Sequence, residues 1–152
     1  MTATTVQKRV TIDASLTSVF EYLDDPSNQP EFTPSLTHSE TLDTLPNGGK
    51  RVAYTYTMAG IDLTGELEAT TYEPQSKIVW ELGGDLEGSI TWEFEGNETM
   101  TTFTYQAQYE IPVPVLDAVI EPFARRYNER ELSTAVENIK TRLEAKTSER
   151  SN

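Results

Sequence analysis

Large aromatic side chains fall on alternate residues of several successive short segments, and this pattern constrains the chain more than any other. Tyr54, Tyr56 and Met58 alternate, as do Trp80 and Leu82, then Ile90, Trp92 and Phe94, then Phe103, Tyr105, Ala107 and Tyr109. A period of two puts each set on one face of a β-strand. Together they predict an antiparallel sheet with one aromatic-rich face. A plain core favours Val, Ile and Leu, because each buried tyrosine hydroxyl needs a hydrogen-bond partner. Five or six amphipathic rings on one face therefore predict a roomy interior: a pocket for an apolar or aromatic small molecule.

The segments around this pattern complete an outline. Residues 4–13 alternate, with Val6, Val10 and Ile12 on one side, which predicts a first strand. Ser15 reads as an N-cap. Leu16, Val19, Phe20 and Leu23 then follow at the spacing of one helical stripe. Asp24-Asp25-Pro26 ends that helix, since the residue before a proline avoids helical geometry. Residues 26–32 predict a second short helical turn. Six strand-like segments follow, at about 35–45, 50–58, 62–73, 77–83, 87–95 and 99–111, separated by short turns rich in Gly, Pro and Asn. Short connections predict an antiparallel meander. After Pro112 and Pro114 a long helix is expected from about Val115 to Lys146. Its stripe is Leu116, Val119/Ile120, Phe123, Tyr127, Glu131, Ala135, Ile139 and Leu143. Pro122 either kinks this helix or marks where its main part starts, near Glu121. The only element long enough to cover the apolar face of a curved sheet is this helix. The expected organisation is one domain over 1–147 with a flexible tail at 148–152.

At 152 residues one domain has room for a real core. There is no cysteine, so disulfides, thiol catalysis and Cys-ligated zinc are excluded. No run approaches the ~18 apolar residues of a membrane span, and the first nine residues lack an apolar signal-peptide core. A soluble, cytoplasmic protein is expected. Acidic residues outnumber basic ones 25 to 12, for a formal net charge of −13. Such a surface repels nucleic-acid phosphates and anionic lipid headgroups. Nucleic-acid partners and stable membrane insertion are therefore not expected. Asp13, Glu40, Asp43, Glu66, Glu68, Glu81, Glu93 and Glu95 fall mostly on outward faces, and only five of the twelve basic residues are Lys. That pattern reads as adaptation to high salt, where repulsion is screened within ~3 Å at 1 M.

Specific stretches resemble a known family. Val10-Thr11-Ile12-Asp13-Ala14-Ser15, Val19-Phe20-Glu21-Tyr22-Leu23, Asp25-Pro26 and Pro30-Glu31-Phe32 resemble the opening of the START-like helix-grip superfamily. Trp80-Glu81, Ile90-Thr91-Trp92-Glu93-Phe94 and Thr102-Phe103-Thr104-Tyr105 are similar to its later strands. The likeness is greatest to its polyketide cyclase/dehydrase and lipid-transport group (SRPBCC), over roughly residues 4–146. The resemblance implies an α+β helix-grip fold: a seven-stranded curved antiparallel sheet around a long C-terminal helix, with two short helices after strand 1 and a hydrophobic cavity between. Members include lipid carriers, aromatase/cyclases, hormone receptors, quinone-biosynthesis helpers and chaperone cofactors, so the resemblance implies a fold and not a ligand.

The candidate ligand-binding set is Tyr54, Tyr56, Met58, Trp80, Trp92, Phe103, Tyr105, Tyr109, Ile120, Phe123, Tyr127 and Glu131. At least one tryptophan is expected to be plain core. Glu131 interrupts the apolar helical stripe and should face inward, where a carboxylate acts as acid or base, unless a nearby arginine or strand residue pairs with it. Glu131 and Tyr105 are the catalytic candidates. Arg126 and Arg130, with Arg125, either meet a ligand carboxylate at the cavity mouth or neutralise neighbouring acids. His38, the only histidine, reads as a surface residue, and no metal or cofactor is expected. Gly60 with Asp62, and Gly83-Gly84-Asp85, are gate candidates or ordinary hairpin turns. No phosphate loop, nucleophile elbow or zinc-protease motif is present.

The leading expectation is a binding module holding a lipid, isoprenoid or polyketide-like molecule, as a monomer or homodimer. A cyclase/dehydrase-like enzyme is the alternative, and a partner-binding accessory protein a further one.

Overall fold

The computed structural model describes the backbone of residues 3–58, 60–110 and 121–150, and the side chains of 5–57, 60–108 and 129–145. β1 (Ala3–Ile12) leads into α1 (Leu16–Asp24), a 3-10 turn (Pro26–Asn28) and α2 (Gln29–Phe32). β2 (Leu36–Thr44), β3 (Lys50–Met58), β4 (Ile61–Glu73), β5 (Lys77–Gly84), β6 (Glu87–Gly96) and β7 (Thr101–Glu110) follow, and then α3 (Glu121–Arg150). The strands form one sheet in the order β1-β7-β6-β5-β4-β3-β2, antiparallel throughout. The meander is as expected. The pairing of β1 with β7, which brings the first and last strands together, is a tertiary result.

Period-two patterning decides the two faces. Along β4, Leu63, Leu67 and Ala69 are buried while Thr64, Glu66, Glu68 and Thr70 are exposed. The register then stacks large residues on the concave side. Trp92 faces Ile78 on one neighbour and Tyr105 on the other, and Phe94 faces Phe103.

α1 begins where Ser15 Oγ accepts a hydrogen bond from Ser18 N at 3.1 Å, the expected cap. It buries Val19, Phe20, Tyr22 and Leu23. The Tyr22 hydroxyl donates to Glu31 at 2.9 Å, and the Tyr72 hydroxyl donates to Asp24 at 2.9 Å. These bonds hold the short helices against each other and against the sheet.

α3 lays Leu132, Ala135, Val136, Ile139 and Leu143 into the sheet, all at 5 % exposure or less. Ala135, Ile139 and Leu143 belong to the expected stripe; Leu132 and Val136 widen it, as a helix gripped by a curved sheet needs. Polar bonds fix its position along β1. Lys140 Nζ donates to Thr11 O at 2.6 Å, and Glu144 accepts from Asp13 N at 2.9 Å. Pro122 is the second residue of the described helix, where a missing N–H costs little. Residues 115–120 of the expected helix lie outside the described residues. At the other end the helix runs through Arg150, beyond the expected Lys146 and into the expected tail. Thr147, Ser148, Glu149 and Arg150 contain no Gly or Pro to stop it.

Candidate functional site

Between the concave face, α2 and the middle of α3 lies a cavity of about 100 Å³. β3 supplies Tyr54 and Tyr56, β5 supplies Trp80 and Leu82, β6 supplies Ile90 and Trp92, and β7 supplies Tyr105 and Ala107. Val6 of β1 and Leu67 of β4 add to this wall. α2 contributes Gln29 and Phe32, and α3 contributes Glu131, Leu132 and Ala135. The cavity is smaller than the roomy interior expected from the ring count, because the rings pack on each other. Trp92 is the hub: its ring meets Trp80 at 5.7 Å, Tyr105 at 5.9 Å, Phe103 at 6.2 Å and Phe32 at 6.4 Å between centroids, all edge to face. Edge-to-face packing satisfies ring quadrupoles and leaves only a residual space.

Six of the expected site residues converge on this cavity: Tyr54, Tyr56, Trp80, Trp92, Tyr105 and Glu131. Phe103 does not reach it; fully buried, it packs between Phe94, Trp92 and Tyr105 as core. The side chains of Met58, Tyr109, Ile120, Phe123 and Tyr127, and those of Arg125 and Arg126, lie outside the described residues. Arg130 is exposed. His38 is exposed on β2, 3.5 Å from Glu40. Among the described residues no cluster of His, Cys, Asp or Glu is arranged to hold a metal ion. Of the two gate candidates, Asp62 accepts from the Thr57 hydroxyl at 2.7 Å away from the cavity. Asp85 accepts from Thr64 N at 2.9 Å, and this bond pins the turn that inserts Leu86 into the cavity wall. Leu86, a lone apolar residue in a polar turn, carried a sequence signal that could have marked it. Gln29, buried at 5 % exposure, carried none.

The polar groups of the lining are few. The Tyr54 hydroxyl donates to Gly83 O at 3.3 Å. Burial pushes that hydroxyl's pKa up, the Leu86 backbone opposes the shift and the charge of Asp85 adds to it. Glu131 Oε1 accepts from the Ser35 hydroxyl at 2.8 Å, a partner in the loop before β2 rather than an arginine. Glu131 Oε2 and Trp80 Nε1 are buried and make no hydrogen bond among the described residues, while the Trp92 indole N–H lies against the Tyr105 hydroxyl. Burial pushes the Tyr105 hydroxyl up to about 12; the Trp92 indole nitrogen opposes this and the negative charge of Glu131 adds to it. Tyr105 is therefore a neutral hydrogen-bonding group at neutral pH, facing a carboxylate across an apolar space.

Solved structures share this architecture. A START superfamily protein from Mycobacterium smegmatis is 16 % identical, with a TM-score of 0.77 over 93 % of this chain and 97 % of that one. An aromatase/cyclase from a Streptomyces species is 15 % identical, with a TM-score of 0.79 over 96 % of each chain. The Aha1 protein of Colwellia psychrerythraea, solved as a dimer, is 13 % identical, with a TM-score of 0.64 over 95 % of this chain and 97 % of that one. At these identities the likeness is one of fold. No curated protein matches the sequence. The sequence profile of the polyketide cyclase / dehydrase and lipid transport family matches residues 3–144, nearly the whole chain, and the protein belongs to that family.

Proposed function

We propose that the chain is a binding module that buries a hydrophobic small molecule, of lipid, isoprenoid or polyketide-like chemistry, between the sheet and α3. The observation that carries this reading is an apolar, ring-lined cavity whose wall includes Glu131 and Trp80, each with a buried polar atom that has no hydrogen-bond partner among the described residues. Structural cores rarely leave such atoms unpaired, because each costs about 1–3 kcal/mol. Apolar contact supplies affinity at ~25 cal/mol per Å², and the few polar atoms set orientation. A cavity of about 100 Å³ is below the ~300–1,000 Å³ of most ligand sites, so a larger ligand requires the rings or the Leu86 turn to move outward.

The test is purification at the salt the protein tolerates, solvent extraction and mass spectrometry of bound compounds. Ala107→Trp, which fills the cavity from β7, removes the bound compound. A blank extract, together with an Ala107→Trp variant that matches wild type in every binding assay, overturns the reading.

The adjacency of a carboxylate and a neutral phenol favours a second reading, a cyclase/dehydrase-like catalyst. Glu131 would accept a substrate proton and Tyr105 would hydrogen-bond a carbonyl oxygen. Glu131→Gln then abolishes turnover; in a carrier it only changes affinity.

A further inference from the structure

Among the described residues, Glu131 is the only charged side chain lining the cavity. One of its oxygens is held by Ser35 and the other is buried without a partner. The Trp80 indole N–H on β5 is equally unpaired among the described residues. An anionic ligand would bring a second negative charge against Glu131, a costly arrangement in low dielectric. A purely apolar ligand would leave both atoms unsatisfied. A neutral ligand with a hydroxyl satisfies both kinds of group: its O–H donates to Glu131 Oε2, and its oxygen lone pairs are open to an indole or tyrosine donor.

We propose that the cavity selects neutral, hydroxyl-bearing apolar molecules, phenols or alcohols, and rejects carboxylates such as free fatty acids, with Glu131 as the discriminating residue. This rests on the binding reading above and adds the polarity of the ligand. Tyr105 belongs to the same selection. It stays protonated at neutral pH and gives a ligand oxygen a donor without adding charge.

The experiment uses three one-ring probes of the same shape: p-cresol, p-toluate and p-xylene. The chain contains two tryptophans, and both line the cavity, so intrinsic fluorescence excited at 295 nm reports occupancy directly. At pH 7, p-cresol binds at least about tenfold more tightly than p-xylene, as a charge-assisted hydrogen bond requires, and p-toluate binds more weakly than both. Glu131→Gln keeps the size and removes the charge. It raises p-toluate affinity at least about tenfold and narrows the cresol preference. Melting curves for the variant show that it is folded. If p-toluate binds wild type as well as p-cresol does, or if Glu131→Gln leaves the p-toluate affinity and the cresol preference unchanged, the selection proposal is wrong while the binding reading stands. If none of the three quenches or shifts the emission at any concentration, the cavity reading falls and takes this proposal with it.

Discussion

Gly65→Ala tests the packing that shapes the cavity. Gly65 lies on β4, opposite Tyr54 of β3 and Gly84 of β5. A Cβ there would stand 2.0 Å from Gly83 O and 2.8 Å from the Tyr54 hydroxyl oxygen. The first is a backbone atom of a paired strand and cannot swing away, so β5 must shift. Overpacking of this kind costs about 1–3 kcal/mol. Losing the Tyr54 to Gly83 hydrogen bond adds about 0.5–1.5 kcal/mol. The stiffer unfolded chain returns at most about 1 kcal/mol. A net loss of about 2–3 kcal/mol corresponds to a Tm lower by about 4–12 °C for a chain of this size. Gly83→Ala is the control: its Cβ meets nothing within 4 Å, and its Tm is at the wild-type value or slightly above it, by the same unfolded-chain effect. Tyr54→Phe combined with Gly65→Ala relieves only the lesser clash and recovers little. Differential scanning calorimetry of the four proteins decides the matter. A Gly65→Ala protein melting with wild type and with Gly83→Ala refutes the account of how Tyr54 is seated.

Three other outcomes follow from the same structure. Ser15→Ala removes the cap of α1 and costs about 1 kcal/mol in urea unfolding, whereas Ser15→Asp costs little. Tyr105 ionises near 12 in the folded protein and near 10 when unfolded, so its contribution to stability is full below pH 10 and is lost between 10 and 12; Tyr105→Phe flattens the decline of Tm over that alkaline range. Glu68 and Glu81 face each other directly across β4 and β5 on the exposed side of an acidic sheet, and like charges so placed destabilise by about 0.2–1 kcal/mol; Tm therefore rises from dilute to molar KCl, and an unchanged Tm refutes the high-salt reading of the surface charge.

The strands, their order along the chain, the cap at Ser15 and the two sheet faces were legible in the sequence. Each depends on local chemistry: a period of two, a side chain that reaches its own helix N-terminus, and turn residues that tolerate unusual dihedrals. The inward direction of Tyr54, Trp80, Trp92, Tyr105 and Glu131 was legible for the same reason, since alternation and helical spacing fix where a Cβ points. The roles of those residues beyond direction were not. Phe103 and Tyr105 point the same way from β7, yet one is core and the other lines a cavity. The difference lies in Trp92 and Phe94 on the adjoining strand. Glu131 finds Ser35 rather than an arginine, 96 residues away along the chain. The size of the cavity depends on how Trp92 nests among four rings drawn from α2, β5 and β7. The sequence by itself determined the sheet, the helix and which atoms face inward, because those follow from geometry within one segment. Only the tertiary structure decided which inward atoms remain unpaired and how much space is left between them, because packing is settled by partners that no local pattern specifies.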